Sequence, residues 1–156
     1  MKPNPKTFEA VIRRTFPHPV SRVYRAWTQA EHVAGWLKPS EEVSLTVLGF
    51  ELRVGGAYDF QFGHGGNIFP VRGKFLTVEP ERSLIFTWLP YAPHVDAGKD
   101  TLVSVWFRGV APGSTEVELR HTLFPDETMC QCHEKNWWGT MEQLSRYLAG
   151  HPQQLK

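Results

Sequence analysis

The side chains in this sequence with the means to do chemistry are seven histidines, two closely spaced cysteines and a few paired acids. Cys130-Gln131-Cys132-His133 sets two thiols and an imidazole within four residues, donor types that zinc accepts. The segment follows Pro125 and reads as helix. Residues two apart on a helix project about 200° apart, so the thiols cannot share one ion, and no second ligand pair stands at finger distance. Cys130 and Cys132 are therefore expected to be free, reduced thiols, with no metal and no cofactor. Gly63-His64-Gly65-Gly66 looks like a phosphate cradle, but it joins two strands and no helix N-terminus follows, which predicts a hairpin turn. The G-x-S-x-G and H-E-x-x-H patterns are absent. Gly73-Lys74 precedes Phe75 where a P-loop needs Ser or Thr. Glu41-Glu42 and Asp126-Glu127 fall in a turn and at a helix start, where solvation and capping account for them.

His121 is the most informative polar residue. In Thr115–Leu123 the apolar positions Val117, Leu119 and Leu123 share its parity, while Glu116, Glu118 and Arg120 take the other face. His121 is thus expected on the apolar face, either as a core histidine bonded to a neighbour or as a polar contact for a ligand. Trp88 shares a face with Leu84 and Phe86, Phe60 and Phe62 alternate with polar residues, and Trp137 and Met141 lie on one helix stripe. Rings converging on one imidazole match the make-up of small-molecule pockets, apolar walls with few polar groups. The candidate ligand-binding residues are Trp36, Phe60, Phe62, Trp88, His121, Trp137 and Met141; no residue is assigned a catalytic role.

The elements that must position these residues follow from periodicity. Thr7–Phe16 alternates as a strand and ends at Pro17-His18-Pro19. Ser21 is placed to cap a short helix with Val23, Ala26 and Trp27 on one face, and a second short helix runs from about Glu31 to Trp36. From Val43 the period becomes two, giving strands through Tyr58–Phe62, Val71–Val78, Leu84–Leu89, Thr101–Val110 and Thr115–Leu123. Ala111-Pro112-Gly113-Ser114 turns the last pair. After Pro125 the helical period returns, with Asp126 as cap and Trp137, Met141, Leu144 and Leu148 as the stripe of a helix over Glu127–Ala149. Short connections imply an antiparallel sheet of six or seven strands, and a long helix with one apolar stripe must lie on it. The fold class is α+β, a curved antiparallel sheet around a long C-terminal helix, in one domain spanning 1–156.

Composition narrows the function. Seventeen Lys plus Arg against sixteen Asp plus Glu leave a net charge of +1, which gives no general attraction to nucleic acid or anionic lipid. No apolar run approaches the ~18 residues of a membrane span. Met1-Lys2-Pro3-Asn4-Pro5-Lys6 has no apolar stretch behind its charges, so a cytoplasmic location is expected. Six Trp, four Tyr and ten Phe require either a large core or a core with a hollow in it.

Four stretches, in order, carry a resemblance to a known family: Phe16-Pro17-His18-Pro19-Val20 leading to Val23-Tyr24-Arg25-Ala26-Trp27; Glu51-Leu52-Arg53-Val54-Gly55-Gly56-Ala57-Tyr58; Gly73-Lys74-Phe75 through Val78-Glu79-Pro80 to Leu84-Ile85-Phe86-Thr87-Trp88; and Val103-Ser104-Val105 with Thr115–Leu119 and His121, joined to Trp137, Met141, Leu144, Tyr147 and Leu148. The sequence resembles the heat-shock-protein-90 ATPase activator homologues of the START-like, birch-pollen-allergen-like superfamily. That resemblance implies a helix-grip fold around a cavity and a small hydrophobic ligand. It departs at Asn136, where the family usually has Gly, a change expected to narrow or polarise the cavity. The family's chaperone activators carry a further N-terminal domain for which this chain has no room, so ligand binding is expected ahead of chaperone interaction. The rival within the fold is a cyclase- or hydrolase-like enzyme, for which the sequence offers only His121 as a converging acid/base group.

Overall fold

The computed structural model describes residues 7–150; the segment 1–6, on which the reading of a missing targeting signal rests, lies outside the described residues, as does 151–156. The elements run β1 (Phe8–Phe16), α1 (Val20–Thr28), α2 (Ala30–Trp36), β2 (Ser44–Phe50), β3 (Ala57–His64), β4 (Asn67–Glu79), β5 (Ser83–Pro90), β6 (Thr101–Ala111), β7 (Ser114–Phe124) and α3 (Glu127–Gly150). All seven strands form one antiparallel sheet in the order β1-β7-β6-β5-β4-β3-β2. β1 therefore pairs with the last strand, and α1 and α2 carry the chain to the opposite edge, where β2 begins.

Local chemistry explains the boundaries. Gly65 and Gly66 turn the β3–β4 hairpin with φ of 59° and 81°, the left-handed pair that a two-residue type I′ turn demands. β4 starts earlier than the expected Val71 and takes in Pro70. The carbonyl of Pro70 accepts from the Tyr91 N–H at 2.9 Å, so its missing donor lies on the same side, just past the end of β5 where the ladder stops. α1 begins at Val20 with Pro19 as its extended N-cap residue, so Ser21 lies inside the first turn and caps nothing. For α3 the expected cap is present: Asp126 Oδ1 accepts from the Met129 N–H at 2.8 Å.

Strand parity fails at the end of β7. Leu123 has a left-handed φ of 69° and is 52% exposed, whereas Phe124 is fully buried. The β1–β7 register shifts between the pairs Phe8–Phe124 and Ala10–His121, and this irregularity turns the next side chain inward. Leu123 therefore leaves the inner face that simple alternation assigned to it.

The core lies between α3 and the concave side of the sheet, with Trp137, Met141, Leu144 and Leu148 buried along the helix. Cys130 is buried beside this stripe and Cys132 is exposed, and both are unbridged. α3 comes close to the chain leaving α2 at Gly139, where a Cβ would collide with the Pro39 carbonyl. Gly139→Ala is expected to destabilise the protein by about 1–2 kcal/mol, because overpacking outweighs the roughly 1 kcal/mol of helix propensity that alanine contributes. Thermal or denaturant unfolding reads the sign. A stabilised variant would mean that the α2–β2 segment gives way freely.

Candidate functional site

A cavity of about 450 Å³ opens between α3 and the β3–β5 end of the sheet. α3 presents His133, Asn136, Trp137 and Thr140 to it, residues at the spacings that share one helical face. Phe62 and His64 on β3, Phe69 and Val71 on β4, and Trp88 on β5 make the sheet wall, alternate residues within each strand. Leu37, Pro39 and Val43 close one side from the α2–β2 segment, and Pro93, His94 and Val95 close another from the β5–β6 loop. Among the described residues, no Lys, Arg, Asp or Glu lines it.

The β5–β6 loop is pinned at its base. Lys99 Nζ donates to Asp96 Oδ1 and to Asp126 Oδ2, each at 2.9 Å, which ties the loop to the capped start of α3. The Met129 N–H and then Lys99 hold the Asp126 carboxyl below its ordinary value, and the two carboxylates raise Lys99. Gly98 N–H to Pro90 O, at 2.9 Å, closes the loop's neck.

Behind the cavity wall lies a directed chain of hydrogen bonds. Thr101 Oγ1 donates to the Trp88 carbonyl at 2.9 Å, so its proton is committed. His121 Nε2–H then donates to Thr101 Oγ1 at 2.7 Å, and Nδ1 accepts from Trp137 Nε1–H at 2.9 Å. Only a neutral imidazole fits, since a proton on Nδ1 would face the indole N–H. Burial pushes the His121 pKa well below its ordinary 6.5, and neighbouring His133 pushes in the same direction.

Two further imidazoles face the cavity itself. His133 Nδ1 lies 2.9 Å from the Met129 carbonyl, so it must be the protonated nitrogen. His94 Nδ1 accepts from the Asp96 N–H at 3.0 Å, so in that ring the proton sits on Nε2. Burial lowers the pKa of both rings.

Of the residues singled out from sequence, Phe62, Trp88 and Trp137 line the cavity together. Trp36 does not: it is fully buried, donates Nε1–H to the Ala26 carbonyl at 2.9 Å and packs edge-on against Trp27. Phe60 faces a separate crevice of about 10 Å³ with Trp27, Phe50 and Tyr58. Met141 and His121 are wholly enclosed in the core, and His121 touches the cavity's lining residues Trp88, Trp137 and His133 from behind. Sequence reasoning missed His94 and the other loop residues, which carry no periodic signal. His133 and Thr140 were within reach, standing one turn either side of Trp137.

A sheet that grips a C-terminal helix across an apolar cavity defines a START-like domain, the architecture of ligand-binding domains. More narrowly, the chain belongs to the family described as Activator of Hsp90 ATPase homolog 1-like protein, whose model matches residues 17–149. Similar solved structures include a Chromobacterium violaceum protein at 25% identity and TM-score 0.78, covering 88% of this chain and 94% of that one. A Silicibacter pomeroyi AHSA1 protein is 20% identical with TM-score 0.80 and coverage of 92% and 99%. An Arthrobacter aurescens protein is 20% identical with TM-score 0.81 and coverage of 91% and 86%. No curated protein matches the sequence. Among the described residues no helix is long and apolar enough to cross a membrane, and no three metal-ligating side chains converge.

The His121 chain generates a test with two readouts. Folding holds this imidazole neutral, so below the ordinary value of 6.5 the unfolded chain binds a proton that the native one refuses. Its contribution is full above that pH and is lost as pH falls, at about 1.4 kcal/mol per pH unit. His133 and His94 add to the same trend. At neutral pH His121→Leu is expected to cost about 1–3 kcal/mol by orphaning the Trp137 N–H, and to flatten the acid slope by roughly one proton. Denaturant titrations at a series of pH values measure both, and an unchanged slope would place the titration on another group.

Proposed function

We propose that this protein is a small-molecule-binding domain whose ligand is neutral and largely apolar or aromatic, seated against Trp88, Trp137 and Phe62. The observation that carries this reading is an open cavity of about 450 Å³ with aromatic and aliphatic walls and no charged side chain in its lining. That volume falls within the roughly 300–1,000 Å³ usual for ligand sites, and a charged ligand would lose its hydration there with nothing to offset it. Membership of the family supports the same reading. An enzymatic reading finds less support. The cavity lining offers no carboxylate or thiol, and the hydroxyl of Thr140 is engaged with the Asn136 carbonyl at 2.8 Å. Chaperone contact finds no counterpart in the site, and the ligand reading does not depend on it.

The neutral fluorophore N-phenyl-1-naphthylamine tests the proposal. At roughly 0.3 kcal/mol per heavy atom, a molecule of this size should bind with a Kd on the order of 0.1 mM or tighter. Binding should quench tryptophan emission by energy transfer from Trp88 and Trp137. Val43→Phe, on the loop wall, is expected to weaken binding at least about tenfold with little change in thermal stability, since it fills space rather than displacing core atoms. Equal affinity in this variant and the parent would move the binding site elsewhere.

A further inference from the structure

The two cavity imidazoles are fixed in opposite tautomers. His133 spends its proton on the Met129 carbonyl, which leaves a bare lone pair on Nε2. His94 spends its Nδ1 lone pair on the Asp96 N–H, which leaves a proton on Nε2. Neither Nε2 has a hydrogen-bond partner among the described residues, and the rings stand 6.1 Å apart between centroids at 39°. Both belong to the cavity lining. The cavity lining, which also includes His64, Asn136 and Thr140, therefore holds one imidazole acceptor and one imidazole donor on neighbouring rings.

The chemistry of that pair selects among ligands. A hydroxyl donates to the His133 lone pair and accepts from the His94 N–H. A carboxylate can only accept, so it leaves the His133 lone pair facing its charge, and no Lys or Arg lines the cavity to offset that charge. An ammonium can only donate, and no Asp or Glu lines the cavity to receive it. Burial keeps both rings in the neutral form that this reading needs at neutral pH. The flat walls of Trp88, Trp137 and Phe62 favour a planar body on the molecule that carries the hydroxyl. We infer that His94 and His133 form a donor–acceptor clamp for the hydroxyl of a neutral phenol- or enol-type aromatic ligand.

This inference rests on the cavity's proposed role as a ligand site, and the experiment separates the two. Displacement of N-phenyl-1-naphthylamine is measured at neutral pH with 2-naphthol, its near-isostere 2-methylnaphthalene, and 2-naphthoate. The phenol is expected to displace the probe at about tenfold lower concentration than the methyl compound, the worth of two modest hydrogen bonds, and the carboxylate more weakly than either. In His133→Leu, and separately in His94→Leu, the advantage of the phenol should vanish while the methyl compound keeps its affinity. Neither histidine is hydrogen-bonded into the His121 chain, and retained affinity for 2-methylnaphthalene certifies the fold. Equal displacement by phenol and methyl compound overturns the clamp and leaves the ligand site standing. Preference for 2-naphthoate overturns it in favour of an anion site, and failure of every compound and of the probe to bind removes both readings.

Discussion

The placement of the cavity depends on one buried hydrogen-bond chain, from the Trp137 indole through His121 and Thr101 to the Trp88 carbonyl. It crosses from α3 to β7, then β6, then β5, so it fixes the helix against three consecutive strands. Every donor in it has one acceptor, and the direction is set at the end where the Thr101 proton meets a carbonyl that can only accept. An incompletely satisfied version would cost about 1–3 kcal/mol for each orphaned group, so the arrangement tolerates one protonation state and little displacement. The two tryptophans it holds, with ring centroids 5.4 Å apart, form adjoining parts of the cavity wall.

Apolar packing could not define those positions alone. A helix on a curved sheet can slide along its axis with small losses of contact, because dispersion is non-directional and leucine-like surfaces re-register. A directed bond between an indole and an imidazole removes that freedom. The Asp126 cap and Lys99 act at the N-terminal end of the same helix, where Lys99 joins the β5–β6 loop to the capping carboxylate. The Lys99–Asp126 pair is substantially exposed, so it contributes chiefly to loop position and only modestly to stability.

Much of the fold is legible in the sequence because periodicity encodes which face is buried. The alternation through Tyr58, Phe60 and Phe62 gives the β3 face, and the four-three-four spacing from Trp137 to Leu148 gives the helix stripe. Parity also puts His121 inside, where it lies fully buried. It fails at Leu123 because a register shift has no signature in alternation. Trp36 is misjudged for another reason: it ends α2, and its indole turns back to the Ala26 carbonyl rather than toward the sheet's open end. The loop residues His94 and Val43 stayed invisible because their place depends on backbone bonds and a lysine bridge rather than on any repeat. His133 stands on the α3 stripe one turn before Trp137, but periodicity alone does not separate a cavity-wall residue from a core one.

The aromatic content explains why one end of the grip is solid and the other hollow. Toward β2 and the short helices, Trp27, Phe50, Tyr58, Phe60, Phe75 and Phe86 interlock, with Tyr58 and Phe60 centroids only 4.5 Å apart, and leave about 10 Å³. Toward His64 and the β5–β6 loop the sheet still presents large rings, Phe62, Phe69 and Trp88, but α3 answers with His133, Asn136 and Thr140 around Trp137. Those shorter polar side chains cannot fill the space opposite the rings, and Leu37, Val43 and Val95 close its sides without filling it. Asn136 bears on this directly: it adds a polar amide to the rim and leaves the cavity open. The hollow thus arises from a mismatch in side-chain size between two well-ordered surfaces. Because the helix cannot slide to close it while the His121 chain holds, the open volume is built into the native state.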